Sequence, residues 1–162
     1  MNQNVKIEAF KYVLMKLSEW KAEILNRSAE SVSFSVTQEL KLLFFVSAIK
    51  VGDSNLLDLF NKYYAMQFGP VESDVYNSLT ASVLDFSQTI NISDAIRQRI
   101  DQSIEALRIA SPSLVIKSAS ELVDISHKWE CWRFSFMLAQ ALGKGSFRMS
   151  NELISQSEQF FV

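Results

Sequence analysis

The sequence predicts a mainly α-helical fold. Of its 162 residues, 48% are hydrophobic and 21% are charged, which supplies enough apolar material for a core and argues against global disorder. Only four Gly and two Pro are present, too few for the many turns of a β-sandwich. Apolar residues also recur at helical spacing along most of the chain. We expect one compact domain over residues 1–162, a bundle of about seven or eight helices that leaves room for one short strand or hairpin.

The first helix is predicted from Val5 to about Asn26. Apolar side chains recur there at helical spacing, while the lysines lie on another side. A Ser-rich connector follows over residues 27–34. The alternation of apolar and polar residues at 32–36 would also suit a short strand.

The second helix is predicted to be the centre of the core. Ser35 and Gln38 have the spacing of a capping box, and residues 40–49 are apolar nearly all round. A helix of that composition is usually buried on most sides. Gly52-Asp53-Ser54 is expected to end it and to cap a third, aromatic-rich helix that extends to Tyr64.

Gly69 and Pro70 predict a sharp corner and the start of a fourth helix. Glycine permits unusual φ values, and proline is favoured in the first turn, where its missing N–H costs nothing. The helix would extend to about Leu79, with Glu72 and Asp74 near the positive end of its dipole. The residues expected to pack are Val71, Val75, Tyr76 and Leu79.

Residues 80–91 show no consistent pattern, but a regular helix is predicted after them. Ser93 has the position of an N-cap, and Ser111-Pro112 would stop the helix. Between these signals an apolar stripe recurs at helical spacing. The stripe consists of Ile96, Ile100, Ile104 and Leu107.

Three more helices are predicted towards the C-terminus. Ser118 with Glu121 forms a second capping-box pattern. Residues 132–142 have helical character, and residues 143–145 form a Gly-Lys-Gly loop. Ser150 is expected to cap a last helix that extends to Phe161.

The charge distribution, the apolar runs and the single cysteine argue against several classes of protein. The net charge is −2 and both signs are spread evenly, so no basic surface for direct nucleic-acid binding is predicted. No run approaches the ~18 apolar residues of a membrane span, and the N-terminus lacks the apolar region of a secretion signal. Cys131 is the only cysteine, which rules out an intramolecular disulfide and is typical of a reducing compartment. We therefore expect a cytoplasmic protein that does not bind membranes.

The residue types that carry chemistry are few. His127 lies three residues after Asp124 and four before Cys131, so a helix would place these side chains on one face. Such pairs can bind metal or activate a thiolate, but a metal site needs more ligands and no oxyanion turn is nearby. Glu72 and Asp74, two residues apart, diverge on a helix. We expect a structural role for His127, and no catalytic residue, metal or cofactor.

Trp129 and Trp132 are three residues apart and would lie on neighbouring positions of a helix. Large side chains with a polar atom are common in cores and are also favoured as interface anchors. The sequence leaves both roles open, the core being the commoner one.

Three blocks give a resemblance to a known family. They are the KLLFF block at residues 41–45, the FGPVESDVY block at residues 68–76 and the ELVDISHKW block at residues 121–129. In this order they resemble the Panacea domain, in which a KLLYF helix precedes a GPV…VY block and a block with His and Trp. The chain departs from the family's pattern at Gln67-Phe68 and in the short gap between His127 and Trp129, where Trp132 is the alternative equivalent.

The resemblance implies a mainly helical domain that binds another protein. Many Panacea members are bacterial antitoxins that neutralise a toxin by direct binding, and one subgroup delivers a toxin to a protease. A protein partner, a toxin, is therefore expected, with no chemistry of the chain's own. The contacts predicted from the sequence are Phe68, Glu72, Asp74, Trp129 and Trp132.

The sequence leaves two other functions open. One is a phage or mobile-element component, structural or adaptor, without a toxin. The other is an enzyme that uses His127 with Asp124 or Cys131.

Overall fold

Seven α-helices and a small sheet form the described part of the molecule, residues 3–81 and 88–162 of a computed structural model. The mainly α-helical fold class predicted from the sequence is confirmed. In chain order the elements are α1 (Gln3–Leu25), α2 (Val36–Ala48), β1 (Tyr63–Met66), β2 (Gly69–Glu72), α3 (Ser73–Thr80), α4 (Asp94–Ala110), α5 (Ala119–His127), α6 (Glu130–Ala141), β3 (Phe147–Met149) and α7 (Asn151–Gln156). Short 3₁₀ turns cover Ala29–Ser31 and Leu114–Ile116.

Helix α2 is the centre of the core, as predicted. Every residue from 40 to 48 is buried. Its N-terminus carries the predicted capping box, in which the Ser35 hydroxyl accepts from Gln38 N–H and the Gln38 side chain accepts from Ser35 N–H. The ring of Phe44 meets Tyr63 edge-on at 5.4 Å and Trp129 at 4.9 Å between centroids. The helix therefore joins the sheet to the C-terminal half of the chain.

Helices α1 and α4 pack beside α2. In α4 the predicted stripe faces the core, since Ile100, Ile104 and Leu107 are buried. Ser93 caps α4 by accepting from Ile96 N–H, and the Ser118–Glu121 capping box opens α5, both as predicted. None of the helices in residues 3–81 and 88–162 has the length and apolar character needed to cross a membrane.

The sheet has the order β2-β1-β3 and all its pairs are antiparallel. Tyr63 of β1 lies opposite Glu72 of β2 on one side and Met149 of β3 on the other. β1 is thus the central strand, and it joins the hairpin to a segment near the C-terminus.

The predicted third helix is wrong. Residues after Ser54 form turns and then strand β1, because local and long-range hydrogen bonds satisfy the backbone there. The Asn55 side chain accepts from Leu57 N–H, and Leu56 N–H donates to the carbonyl of Ser47. In β1 buried and half-buried residues alternate. Both faces carry apolar or aromatic residues, so the sequence does not show the alternation of apolar and polar residues that predicts a strand.

The predicted fourth helix begins three residues later than expected. Pro70 lies in β2, at the edge of the sheet, where a residue without an N–H is tolerated. Helix α3 starts at Ser73, and Glu72 is its N-cap rather than part of its first turn. Asp74 does lie in the first turn. Val71 and Val75 are buried and Tyr76 and Leu79 partly so, which agrees with their predicted packing.

Two further boundaries differ from the predictions. Residues 32–36 do not form a strand. The last helix ends at Gln156 rather than at Phe161, because residues 157–162 are held in an extended path by tertiary contacts: Gln159 donates to the carbonyl of Ala48, and the Phe161 ring packs on Phe45. Of the ambiguous stretch 80–91, residues 82–87 lie outside the described part of the structure.

Candidate functional site

Lys41, Gly69 and Ser126, one from each of the three sequence blocks, lie together at one corner, beside the turn between β1 and β2. Lys41 of α2 donates from Nζ to the Pro70 carbonyl at 2.6 Å. From α6, Trp132 donates from Nε1 to the Met66 carbonyl at 2.8 Å. The hairpin is therefore held by hydrogen bonds from two helices that are distant from it in sequence.

Gly69 occupies a position in this corner where the side chain of any other residue would collide with its neighbours. Its φ is +112°, a value that L-residues rarely adopt. A Cβ added there would lie 2.4 Å from Ser126 Oγ and 3.1 Å from Lys41 Cε. Gly69 thus allows α2, α5 and the hairpin to approach one another closely, which is a different role from the predicted helix start.

The carboxylate of Glu72 lies fully inside the molecule. It accepts from the backbone N–H groups of Asp74, Val75 and Lys62. It also forms an ion pair of 2.8 Å with Lys6 of α1, which is 1% exposed. Glu72 therefore ties the start of α3 to α1, and the contact role predicted for it is withdrawn because its own exposure is 0%.

Lys6 has three acceptors. Besides Glu72, its Nζ donates to Asp74 at 2.7 Å and to the Asn61 side chain at 2.8 Å. Burial raises the pKa of Asp74, but its hydrogen bond to Lys6 and that positive charge outweigh this, so the pKa lies below its usual value. Asp74 is thus paired with Lys6 of the same chain.

The two tryptophans serve the interior more than the surface. Trp129 is fully buried and donates from Nε1 to the Phe160 carbonyl at 2.8 Å, so its predicted contact role is withdrawn as well. Trp132 is also buried, stacked between His127 at 3.9 Å and Phe136 at 5.2 Å. Of the five predicted contacts, Phe68 alone is a well-exposed aromatic side chain, at 62%.

His127 and Cys131 lie in surroundings that disfavour their charged forms. Burial lowers the pKa of His127, and a hydrogen bond to the backbone of Gln67 offsets this only in part. Burial raises the pKa of the Cys131 thiol to about 11, so the thiolate needed for nucleophilic attack is disfavoured at neutral pH. Residues 3–81 and 88–162 contain no group of three or more His, Cys, Asp or Glu side chains arranged to hold a metal ion.

A groove of about 400 Å³ lies between the start of α2 and the hairpin. Its apolar walls include Phe68 and Val36, both exposed. The residues that line it include Val36, Leu40, Lys41, Phe68, Val71 and Tyr76. This groove, called the hairpin groove below, is the candidate functional site.

The sequence reasoning missed Lys41, a polar residue at the hairpin groove. Its side chain is 2% exposed, and burial lowers its pKa to about 7. One signal was present: Lys41 is the single charge in the apolar run of α2 from Leu40 to Ala48.

A second cavity, of about 620 Å³, lies between α1 and α2 and is lined by Glu39 among others. Burial raises the pKa of Glu39 to about 7. Residues 39 and 41 are about 200° apart around a helix, so α2 directs Glu39 and Lys41 to opposite sides. The two cavities are therefore separate.

In comparison with known proteins, no family model, curated protein or solved structure matches this chain. The resemblance to the Panacea domain stays a prediction from the three blocks.

Proposed function

We propose that this chain is a protein-binding domain of the antitoxin type, which neutralises a bacterial toxin in the cytoplasm by direct binding. The toxin would dock on the hairpin groove. The antitoxin part of the proposal rests on the resemblance to the Panacea domain, and the choice of surface rests on the geometry of the groove.

Phe68 is exposed on a turn that hydrogen bonds from two helices hold in place, and this observation supports the choice of surface. Aromatic side chains dominate the binding energy of protein interfaces when they enter a partner's pocket. The carbonyls on either side of Phe68, those of Met66 and Pro70, accept hydrogen bonds from Trp132 and Lys41. Because the turn is already ordered, little conformational entropy is lost when a partner binds.

The neighbouring residues support the same surface. Val36 is exposed across the hairpin groove, and Tyr76 lies half-buried at its wall. An apolar groove beside an exposed aromatic is a common form of protein docking site. Residues of the first two blocks, Lys41 and Phe68 among them, line the groove, so those blocks would maintain the binding surface as well as the fold.

Co-expression tests the proposal. A small reading frame next to the gene for this chain is expected to be toxic alone and harmless when the chain is co-expressed, and the two proteins should co-purify. Phe68→Ser should weaken the complex by at least tenfold, the size expected for an aromatic hot spot. Phe134→Ser is the matched control, because Phe134 is 48% exposed on α6 and does not line the groove.

Two results would count against the proposal. Equal losses in Phe68→Ser and Phe134→Ser would show that the hairpin groove is not the docking surface. A neighbour that neither kills nor co-purifies would favour the alternative, a phage or mobile-element structural or adaptor protein without a toxin.

A further inference from the structure

Lys41 is a buried cation without a carboxylate partner in the described structure. Its Nζ has three hydrogens to donate, and the acceptor found for it is the Pro70 carbonyl at 2.6 Å. Burial is the cause of its lowered pKa, and no carboxylate among residues 3–81 and 88–162 offsets that cost. A buried ammonium is usually paired, so an unpaired one beside a groove indicates where an anion would be favoured.

We propose that the hairpin groove recognises an acidic side chain on an apolar segment of the partner protein, with the carboxylate paired to Lys41. This inference rests on the proposed function of the groove as a protein-docking site. The apolar part of the segment would contact Phe68 and Val36, and the carboxylate would supply a counter-charge that no described residue of the chain supplies to Lys41.

Lys6, the other buried lysine, can be compared directly with Lys41. Both lysines are buried, but two carboxylates and an amide oxygen surround Lys6. Lys6 is thus surrounded by acceptors, whereas the described residues supply Lys41 with the Pro70 carbonyl and with no carboxylate. The difference lies in position, because Lys41 borders a groove that is open to a partner.

The walls of the groove favour an acidic side chain over other anions. A phosphate group carries up to two charges and needs several donors, whereas Lys41 is the one cationic side chain among the described residues that line this groove. A terminal carboxylate is usually captured by a nest of backbone N–H groups. A glutamate has an apolar stem that can pass Val71 and Leu40 before its carboxylate reaches a buried ammonium.

Proton binding would be linked to recognition. Because the pKa of Lys41 in the free protein is about 7, part of the population is uncharged near neutral pH. A bound carboxylate favours the charged form and so raises that pKa. The affinity for an acidic segment should therefore fall as the pH rises above about 7, while the affinity for a neutral segment should stay constant.

A pair of short peptides tests the inference. The probes are acetyl-Leu-Glu-Leu-amide and acetyl-Leu-Gln-Leu-amide, titrated into the full chain labelled with ¹³C at lysine Cε and observed by NMR. The Glu peptide should bind at least fivefold more tightly than the Gln peptide and should raise the pKa read from the Lys41 resonance. In Lys41→Met the two peptides should bind equally.

The outcomes separate this inference from the proposed function. If both peptides bind the wild type equally and Phe68→Ser abolishes both, the groove is a docking site without carboxylate selectivity, and this inference is overturned. If the Glu preference persists in Lys41→Met, another cation is responsible, which also overturns it. If neither peptide binds while the toxin still co-purifies with the chain, this inference is overturned and the proposed function stands. The Lys41 pKa is measured in the wild type, so the test holds even if the variant is unstable.

Discussion

Two buried lysines, Lys6 in α1 and Lys41 in α2, have opposite surroundings. Lys6 lies among Glu72, Asp74 and Asn61, while Lys41 has one carbonyl, that of Pro70. Removing an ammonium from water is costly, and the attraction of nearby carboxylates offsets that cost. The comparison shows that two buried lysines of one chain can differ in whether described carboxylates surround them.

The largest effect is expected at Lys6. Lys6→Met would leave the fully buried carboxylate of Glu72 without its counter-ion, and we expect a loss of ~3–5 kcal/mol in the free energy of unfolding. Urea denaturation followed by circular dichroism measures it. The matched control is Lys16→Met in the same helix, whose pair with Glu19 is 3.4 Å long and partly exposed, and which should cost less than ~1 kcal/mol. Equal costs would show that Lys6 is not a structural ion pair.

An intermediate effect is expected at Gly69, which lies against the side chain of Lys41. Gly69→Ala would place a Cβ 2.4 Å from Ser126 Oγ at a positive φ, and we expect a loss of about 2–3 kcal/mol. Gly145→Ala serves as the control, because no atom lies within 4 Å of its added Cβ and its φ is not positive. A loss below ~0.5 kcal/mol in Gly69→Ala would mean that the corner around Lys41 is loosely packed.

The smallest effect is expected for Lys41 itself, and it depends on pH. Between about pH 7 and pH 10 the folded chain has released the Lys41 proton and the unfolded chain has kept it, so stability rises with pH across this window. The slope should be on the order of 1 kcal/mol per pH unit and should be absent in Lys41→Met. Thermal or urea unfolding at several pH values measures it, with Lys50→Met, an exposed lysine, as the control. If Lys41→Met keeps the wild-type slope, Lys41 is not responsible for it.

Local features could be predicted from the sequence. The caps at Ser35, Ser93 and Ser118 depend on residues three positions away, so their patterns are visible in the chain. The hairpin was missed because its strands are stabilised by distant segments. β1 pairs with β3, and Glu72 and Asp74 meet Lys6, 68 residues before Asp74.

The candidate site was predicted only in part. Phe68 was among the predicted contacts, and it is exposed in the structure. Glu72 and Trp129 were misplaced, because burial of a polar or aromatic side chain depends on partners from other elements. Lys41 was overlooked within an apolar block, where its single charge was the one available signal.

The place of β1 in the sheet has a consequence for synthesis of the chain. One neighbour of β1, strand β2, follows it directly, but the other is Phe147–Met149. Until Phe147–Met149 leaves the ribosome, β1 has an open edge, and open edges can pair with other chains. Trp132, which donates to the Met66 carbonyl, also emerges long after the hairpin. The surface around Phe68 is therefore completed only after Trp132 and Phe147–Met149 have been made, long after the hairpin itself.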